Sequence, residues 1–421
     1  MTWVSFLCFG VCFGIVVSCF YRGSDVLSPA RVFGFVWCLA IGLAELKLSA
    51  LQHTWSAESW IQLLVGPASF LLGVFILYVR NLDEKLLSVD LIRKKWKTER
   101  TDENRLFLWM CVAFVLYVYA YVVIAWARGG IPLFSSHPGE ARMEFSMFAI
   151  GLFLHHLVVI LFFTVVYHLT VKGQSARKWW LKLFSVVVLV SYFLTLQRLQ
   201  IVMTIVIILT LVYYTSRHLR LGTVGGYSAL IIALVYVVSN LRWAGQYFIY
   251  YLYRDSRMKF PPQYAIFTEP YMYVAMNLEN FARSMDRLDH FTFGYYTFDF
   301  VTALSGLKHW LDDYIRLNET PYLISSYNTY TAFWTYYRDF GVLGVFAIGL
   351  LGGLAIGCLY YAMRKKPTLS SISAYSIAVF LMGMSFFNSQ IGFLWFVYSV
   401  VAMYAVLQFI RPRVEPRVVL Q

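Results

Sequence analysis

The stretch VLGVFAIGLLGGLAIGCLYYAM, residues 342–363, carries no charge and ends against Arg364, Lys365 and Lys366. A helical run of about 20 apolar residues crosses a bilayer core of roughly 30 Å. Comparable runs recur along the whole chain, at about 2–21, 29–47, 59–79, 106–127, 147–171, 179–196, 199–216, 223–241, 370–387 and 391–410. A composition of 60% hydrophobic and 14% charged residues over 421 positions is not that of a soluble domain. The two-residue alternation of a membrane β-barrel is absent. The expected fold is therefore an all-α polytopic membrane protein with about 11 transmembrane helices. Thr2–Tyr21 has no basic region before it and no small-residue cleavage site after it, so it reads as a retained helix rather than a signal peptide.

The formal net charge of +13 raises nucleic acid as a partner. The basic residues sit mainly in short loops between apolar runs, however, as the positive-inside rule describes, so no nucleic-acid partner is expected. Arg80, Lys85, Arg93, Lys94, Lys95, Lys97, Arg100 and Arg105 fill the segment 80–105. Further basic loops hold Lys172, Arg177, Lys178 and Lys182, then Arg217 and Arg220, then Arg364, Lys365 and Lys366, with Arg411, Arg413 and Arg417 in the tail. Placing all of these in the cytoplasm is self-consistent and gives an outward N-terminus and a cytoplasmic C-terminus. Cys8, Cys12, Cys19, Cys38, Cys111 and Cys358 lie within apolar runs without metal-ligand spacing, so neither disulfides nor zinc is expected.

Three regions follow: a membrane domain with spans 1–8 (1–241), a large outer loop (242–325), and an interfacial helix with the last three spans (326–421). In the loop, EPYMYVAMNLENFARSMDRL (269–288) shows near-helical apolar spacing after a Thr-Glu-Pro start that suits a helix N-terminus. FDFVTALSGLKHWLDDYI (298–315) reads as a second amphipathic helix. Both are expected to lie on the outer membrane surface or to cap a cavity.

Four outward phrases place arginine beside other polar groups at the end of an apolar run: IPLFSSHPGEAR (131–142), QRLQ (197–200), NLRWAGQ (240–246) and SYNTYTAFWTYYRDFG (326–341). Membrane chains avoid that arrangement unless they handle an anion there. Arg142, Arg198 and Arg242 sit within a residue or two of an outer boundary. Guanidinium groups grip phosphate oxygens bidentately and stay charged, which suits a diphosphate bound without metal. Snorkelling to lipid headgroups is the competing reading. If 328–339 is a helix begun at Ser326 or Asn328 and broken at Gly341, then Asn328, Thr331, Thr335 and Asp339 share one face. Phe333, Trp334, Tyr337 and Phe340 take the other. Such a stripe suits a hydroxyl-rich ligand, or simply a helix riding at the interface. His155 and His156 face either a cavity or the core, and Glu45 and Lys47 are placed to pair. Glu140, Glu269, Asp299 and Glu319 are outward carboxylates without an assigned partner. Walker, GxSxG, HExxH, paired CxxC and D-x-D signatures are missing, so an enzyme here is expected to need neither metal nor cofactor.

Gly130-IPLFSS with Glu140-x-Arg142, Gln197-Arg198 in a tight outer turn, and Asn328-T-Y-Thr331 followed by Tyr337-x-Asp339-Phe340-Gly341-x-x-Gly344 resemble the O-antigen polymerase and oligosaccharide repeat-unit polymerase family. The order of spans, loop and motifs is similar along most of the chain. The resemblance implies a GT-C-like membrane glycosyltransferase of the bacterial inner membrane. It would move a growing glycan from one undecaprenyl diphosphate carrier onto another carrier-linked repeat unit, inverting the anomeric centre. Its implied partners are the lipid-linked donor and acceptor, the bilayer, a chain-length regulator and a flippase.

On this reading Asp339, then Glu140, orients or deprotonates the acceptor. Arg142, Arg198 and Arg242, with Asn328, Thr331 and Arg338, bind diphosphate and substrate. Tyr247, Tyr264, Tyr271, Tyr273, Tyr295 and Tyr296 stack on sugars or belong to an interface belt. The alternatives are an O-antigen ligase using His290 or His309, and a lipid-linked oligosaccharide flippase. The flippase requires charges deep in several spans, which spans 6–11 lack except at their ends.

Overall fold

The computed structural model describes residues 2–21, 23–96, 101–171, 176–216, 226, 229, 233, 237, 247–285, 288, 290–307, 310–311 and 327–411. The described residues are helical, without a named strand. In chain order the helices are α1 (Trp3–Ser18), α2 (Pro29–Ala44), α3 (Ala57–Arg80), α4 (Val89–Trp96), α5 (Glu103–Ala127), α6 (Pro138–Glu144), α7 (His156–Thr170), α8 (Ala176–Leu194), α9 (Leu199–Thr215), α10 (Tyr247–Asp255), α11 (Thr268–Met285), α12 (Asp299–Ser305), α13 (Ala332–Lys365), α14 (Leu369–Met384) and α15 (Leu394–Phe409). Ala57–Arg80, Glu103–Phe134, Ile150–Thr170 and Ala332–Lys365 are long and apolar enough to cross a membrane, and α1, α2, α9, α14 and α15 are shorter apolar helices. The chain is thus a helical multi-pass membrane protein. The expected eighth span, apart from four isolated positions, lies outside the described residues with Arg242 and His309.

The chain forms two compact units, each drawn from separated stretches. The first comprises 1–89, 243–366 and 374–397. Its centre is the packing of α3 on α13. Lipid supplies no hydrophobic drive between helices, so close backbone approach through small residues decides which pairs form. A Cβ on Gly353 would lie 2.0 Å from the Phe70 carbonyl oxygen, and one on Gly73 2.4 Å from that of Leu350. At one end of this unit Asp25 accepts from the Tyr360 hydroxyl (3.1 Å) and pairs with Arg364 (3.3 Å), while Lys365 meets Glu84 (3.0 Å). At the other end Lys47 meets Glu45 (3.1 Å) and Glu279 (3.7 Å). The expected Glu45–Lys47 pair is therefore present.

Helix α11 is buried on most sides, including the unbroken run Ala275–Ala282, so of its two expected placements it does not take the one on the membrane surface. Asn277, Glu279 and Asn280 are satisfied by protein partners there, which lets a polar helix sit inside. Of the second amphipathic stretch, α12 forms over Asp299–Ser305 and much of the remainder lies outside the described residues.

The second unit comprises 90–242, 367–373 and 398–421. Helix α7 is its core, with ten of its residues between His156 and Tyr167 buried, packing on α5, α8 and α9. Its N-terminal end is not α-helical as expected. Ala149 has φ 59°, and Ile150–His155 is a 3-10 turn. The tight turn expected around Gln197-Arg198 is present between Leu194 and Leu199, with Leu196 at φ 59° and the Tyr192 hydroxyl donating to Gln197 Oε1 at 2.8 Å.

Candidate functional site

The first unit holds a cavity of about 340 Å³, within the usual range of small-molecule sites. Four segments build it: the loop 291–299, the segment 327–331 leading into α13, the first turns of α13, and the turn between α14 and α15.

The segment 327–331 is not the start of α13, as the periodicity suggested. The helix begins at Ala332, with Thr331 extended as its N-cap (φ −66°, ψ 162°). The reason lies in α11. The Asn280 amide donates to the carbonyls of Tyr327 (2.8 Å) and Thr329 (2.9 Å), and Asn277 accepts the Thr329 hydroxyl at 2.5 Å. Backbone acceptors that a helix from 328 would use are thus taken by side chains. Burial, reinforced by the Glu269 carboxylate, pushes the adjacent Tyr327 phenol well above its ordinary value, so it stays neutral.

The break at Gly341 is present, and it organises the second wall. Gly341 adopts φ 64°, which a side chain rarely tolerates, and a Cβ there would lie 3.0 Å from the Phe291 ring. The kink takes away the next-turn amides that would bond the carbonyls before it. The Thr292 N–H instead reaches the Arg338 carbonyl (3.1 Å), and the Phe293 N–H that of Asp339 (3.1 Å). The Asp339 carboxylate accepts the Thr292 hydroxyl, the Tyr296 N–H (3.2 Å) and the Thr297 N–H (2.6 Å). Asp339 is 0% exposed and does not line the cavity. A carboxylate occupied in this way fixes backbone.

The cavity so formed is lined by both aromatic and polar residues. Tyr295 and Tyr296 meet edge to face at 5.0 Å, and Tyr330 stacks on Trp334 at 4.9 Å. The Arg338 guanidinium lies 4.2 Å from the Tyr296 ring centroid, and Arg338 is 4% exposed. Such a stack orients the planar cation and leaves its edge for anionic oxygens. Asn328, Thr335, Asp299, Asn388 and Ser389 supply amide, hydroxyl and carboxylate groups, and Ser389 is within 3.2 Å of the Tyr336 hydroxyl. This combination can sandwich an apolar ring face while hydrogen-bonding hydroxyls at its edge.

Of the expected site residues, Asn328 and Arg338 line this cavity and Thr331 is buried beside it. Glu140, Arg142 and Arg198 belong to the second unit. Glu140 is exposed and Arg142 half-buried on α6, and the half-buried Arg198 is the N-cap of α9. Arg128 there donates twice to the Ser146 carbonyl (2.9 and 3.2 Å), closing the loop that carries α6. His156 hydrogen-bonds the Phe153 carbonyl (3.1 Å) and faces Tyr398, which makes it a core residue. Asn388 and Ser389 escaped the sequence reading. Their one signal is the polar break Asn388-Ser389-Gln390 between two apolar runs, which alone reads as a turn.

A family model for O-antigen polymerase matches residues 27–256. No curated protein and no solved structure matches the chain. The matched segment supplies α2 and α3, on which α11 and α13 pack, while the cavity-lining residues follow it in sequence.

Proposed function

The chain belongs to the O-antigen polymerase family, and from that premise we propose that it polymerises polyprenyl-diphosphate-linked oligosaccharide repeat units at the outer face of the bacterial inner membrane. A growing glycan leaves one carrier and joins the non-reducing end of a second carrier-linked unit. The acceptor hydroxyl attacks the anomeric carbon as the bond to the diphosphate breaks, with inversion. Diphosphate is a leaving group that needs charge neutralisation more than protonation, and a preorganised guanidinium supplies it. The stacking of Arg338 on Tyr296 in the cavity wall supports giving it that role. Arg142, Arg198 and Arg242 provide cations at outer span boundaries for the carrier headgroups. A flippase would deliver the units and a chain-length regulator would set when transfer stops.

The observation that carries this reading is the family match over 27–256, and the cavity tells where to test it. A polymerase-deletion host receives the wild-type chain, Arg338→Ala or Arg198→Ala, and its surface glycan is resolved on a gel. The reading expects a ladder from wild type and a single repeat unit from the variants at equal protein level. Long glycan accumulating on the carrier without this chain would assign it to ligation instead.

A further inference from the structure

Among the described residues lining the cavity the one carboxylate is Asp299, half-buried in the first turn of α12. Asp339, the nearby alternative, already takes three donors and lies outside the lining. The two are mechanically linked. Asp339 holds the N–H groups of Tyr296 and Thr297, and the Phe298 N–H bonds the Gly294 carbonyl at 2.9 Å, so the chain reaches Asp299 from a fixed loop.

We propose that this cavity is the acceptor subsite, taking the terminal sugar ring of the acceptor glycan against Tyr296 and Trp334, and that Asp299 is the catalytic base for its attacking hydroxyl. The proposal rests on the polymerase reading. A pyranose offers a C–H face to an aromatic wall and hydroxyls to groups such as Asn328 and Asn388, and both kinds of group line this space. A hydroxyl becomes a competent nucleophile when its proton has a positioned acceptor, and a carboxylate within the same cavity is one. As the acceptor oxygen bonds the donor's anomeric carbon, the bond from that carbon to the diphosphate oxygen breaks. Its electron pair leaves with the polyprenyl diphosphate. The hydroxyl proton passes to Asp299 and from there to water.

The test uses the full chain in vesicles, with lipid-linked repeat unit extracted from the deletion host as both donor and acceptor. Wild type, Asp299→Asn and Asp299→Glu are compared for turnover, for the repeat-unit concentration at half-maximal rate, for the pH profile and for melting temperature. Loss of a positioned base lowers turnover ~10²–10⁴-fold. The expected result is that loss in Asp299→Asn, with half-saturation and melting nearly unchanged, the acid limb of the profile gone, and partial recovery in Asp299→Glu. Turnover in Asp299→Asn within threefold of wild type overturns the assignment while leaving the polymerase reading intact. A large loss shared equally by Asp299→Glu, with lowered melting in both, overturns it in favour of a structural role. No polymer from wild type, in vesicles and in the deletion host alike, overturns the polymerase reading and this proposal with it.

Discussion

The Thr297 N–H reaches the Asp339 carboxylate at 2.6 Å, and this bond ties the kink of a long membrane helix to the loop that enters the cavity. An amide at 339 offers one acceptor oxygen and turns an N–H₂ group toward buried donors. Asp339→Asn should leave at least one of the Tyr296 and Thr297 amides unsatisfied, at about 1–3 kcal/mol. The expected outcome is faster chymotryptic cleavage within 291–298 together with loss of the surface ladder. Cleavage at the wild-type rate would show that the carboxylate does not hold the loop.

Gly353 faces a harder limit. Its missing Cβ would lie 2.0 Å from the Phe70 carbonyl oxygen, a backbone atom that no rotamer change can move aside. Gly353→Ala should force α3 and α13 apart and cost about 3 kcal/mol, the upper end of overpacking effects. Gly10 on α1 has nothing within 4 Å of its Cβ position, so Gly10→Ala should match wild type or gain stability. Melting of the purified protein in detergent compares the two, and equal melting temperatures would refute the close-packing account.

Legibility in the sequence tracked the range of the interaction. The membrane runs, the turn at Gln197-Arg198 and the break at Gly341 were readable because each depends on hydropathy or a local backbone requirement. The segment 327–331 is extended rather than helical because its carbonyls bond Asn280 and its Thr329 hydroxyl bonds Asn277, some fifty positions away, and periodicity is blind to them. The burial of α11 is hidden from the sequence for the same reason. The eye takes Glu279 for a wet residue until Trp55 and His53 are known to satisfy it. Within the site, Arg338 and the outer tyrosines were visible as residue types at a membrane boundary. Asp299 reads only as an outward carboxylate and Asn388 only as part of a polar break, and folding alone brings them to one cavity.

Glu279 therefore gives a stringent stability test. It is fully buried, accepts the Trp55 indole N–H (2.8 Å) and the His53 backbone N–H (2.9 Å), and lies 3.7 Å from Lys47. Breaking a buried pair leaves an uncompensated charge and costs about 3–5 kcal/mol. Lys47 keeps Glu45 at 3.1 Å, so Glu279→Gln should fall near the low end, about 3 kcal/mol. Lys47→Met takes the cation from both Glu279 and Glu45, so the double variant should lose less stability than the losses of the two single variants added together. A loss equal to that sum would show that Lys47 and Glu279 are not coupled.

Arg338 asks whether charge alone or the shape of the cation matters. Its guanidinium sits 4.2 Å from the Tyr296 ring centroid and it is almost wholly buried. Lysine keeps the charge but loses the planar stack and the fork that grips two oxygens at once. Arg338→Lys should lower stability by less than the roughly 2 kcal/mol of a desolvated cation–π contact, because the ammonium still faces the ring. Polymer formation should fall at least about tenfold, since one tenfold step in rate corresponds to the loss of a single interaction of about 1.4 kcal/mol in the transition state. Tyr296→Phe keeps the ring and should preserve the ladder, whereas Tyr296→Leu removes the stack and should resemble Arg338→Lys. The gel reads all three against equal protein level. Wild-type ladders from Arg338→Lys would mean that a point charge suffices there, and the orientation imposed by Tyr296 would then have no part in transfer.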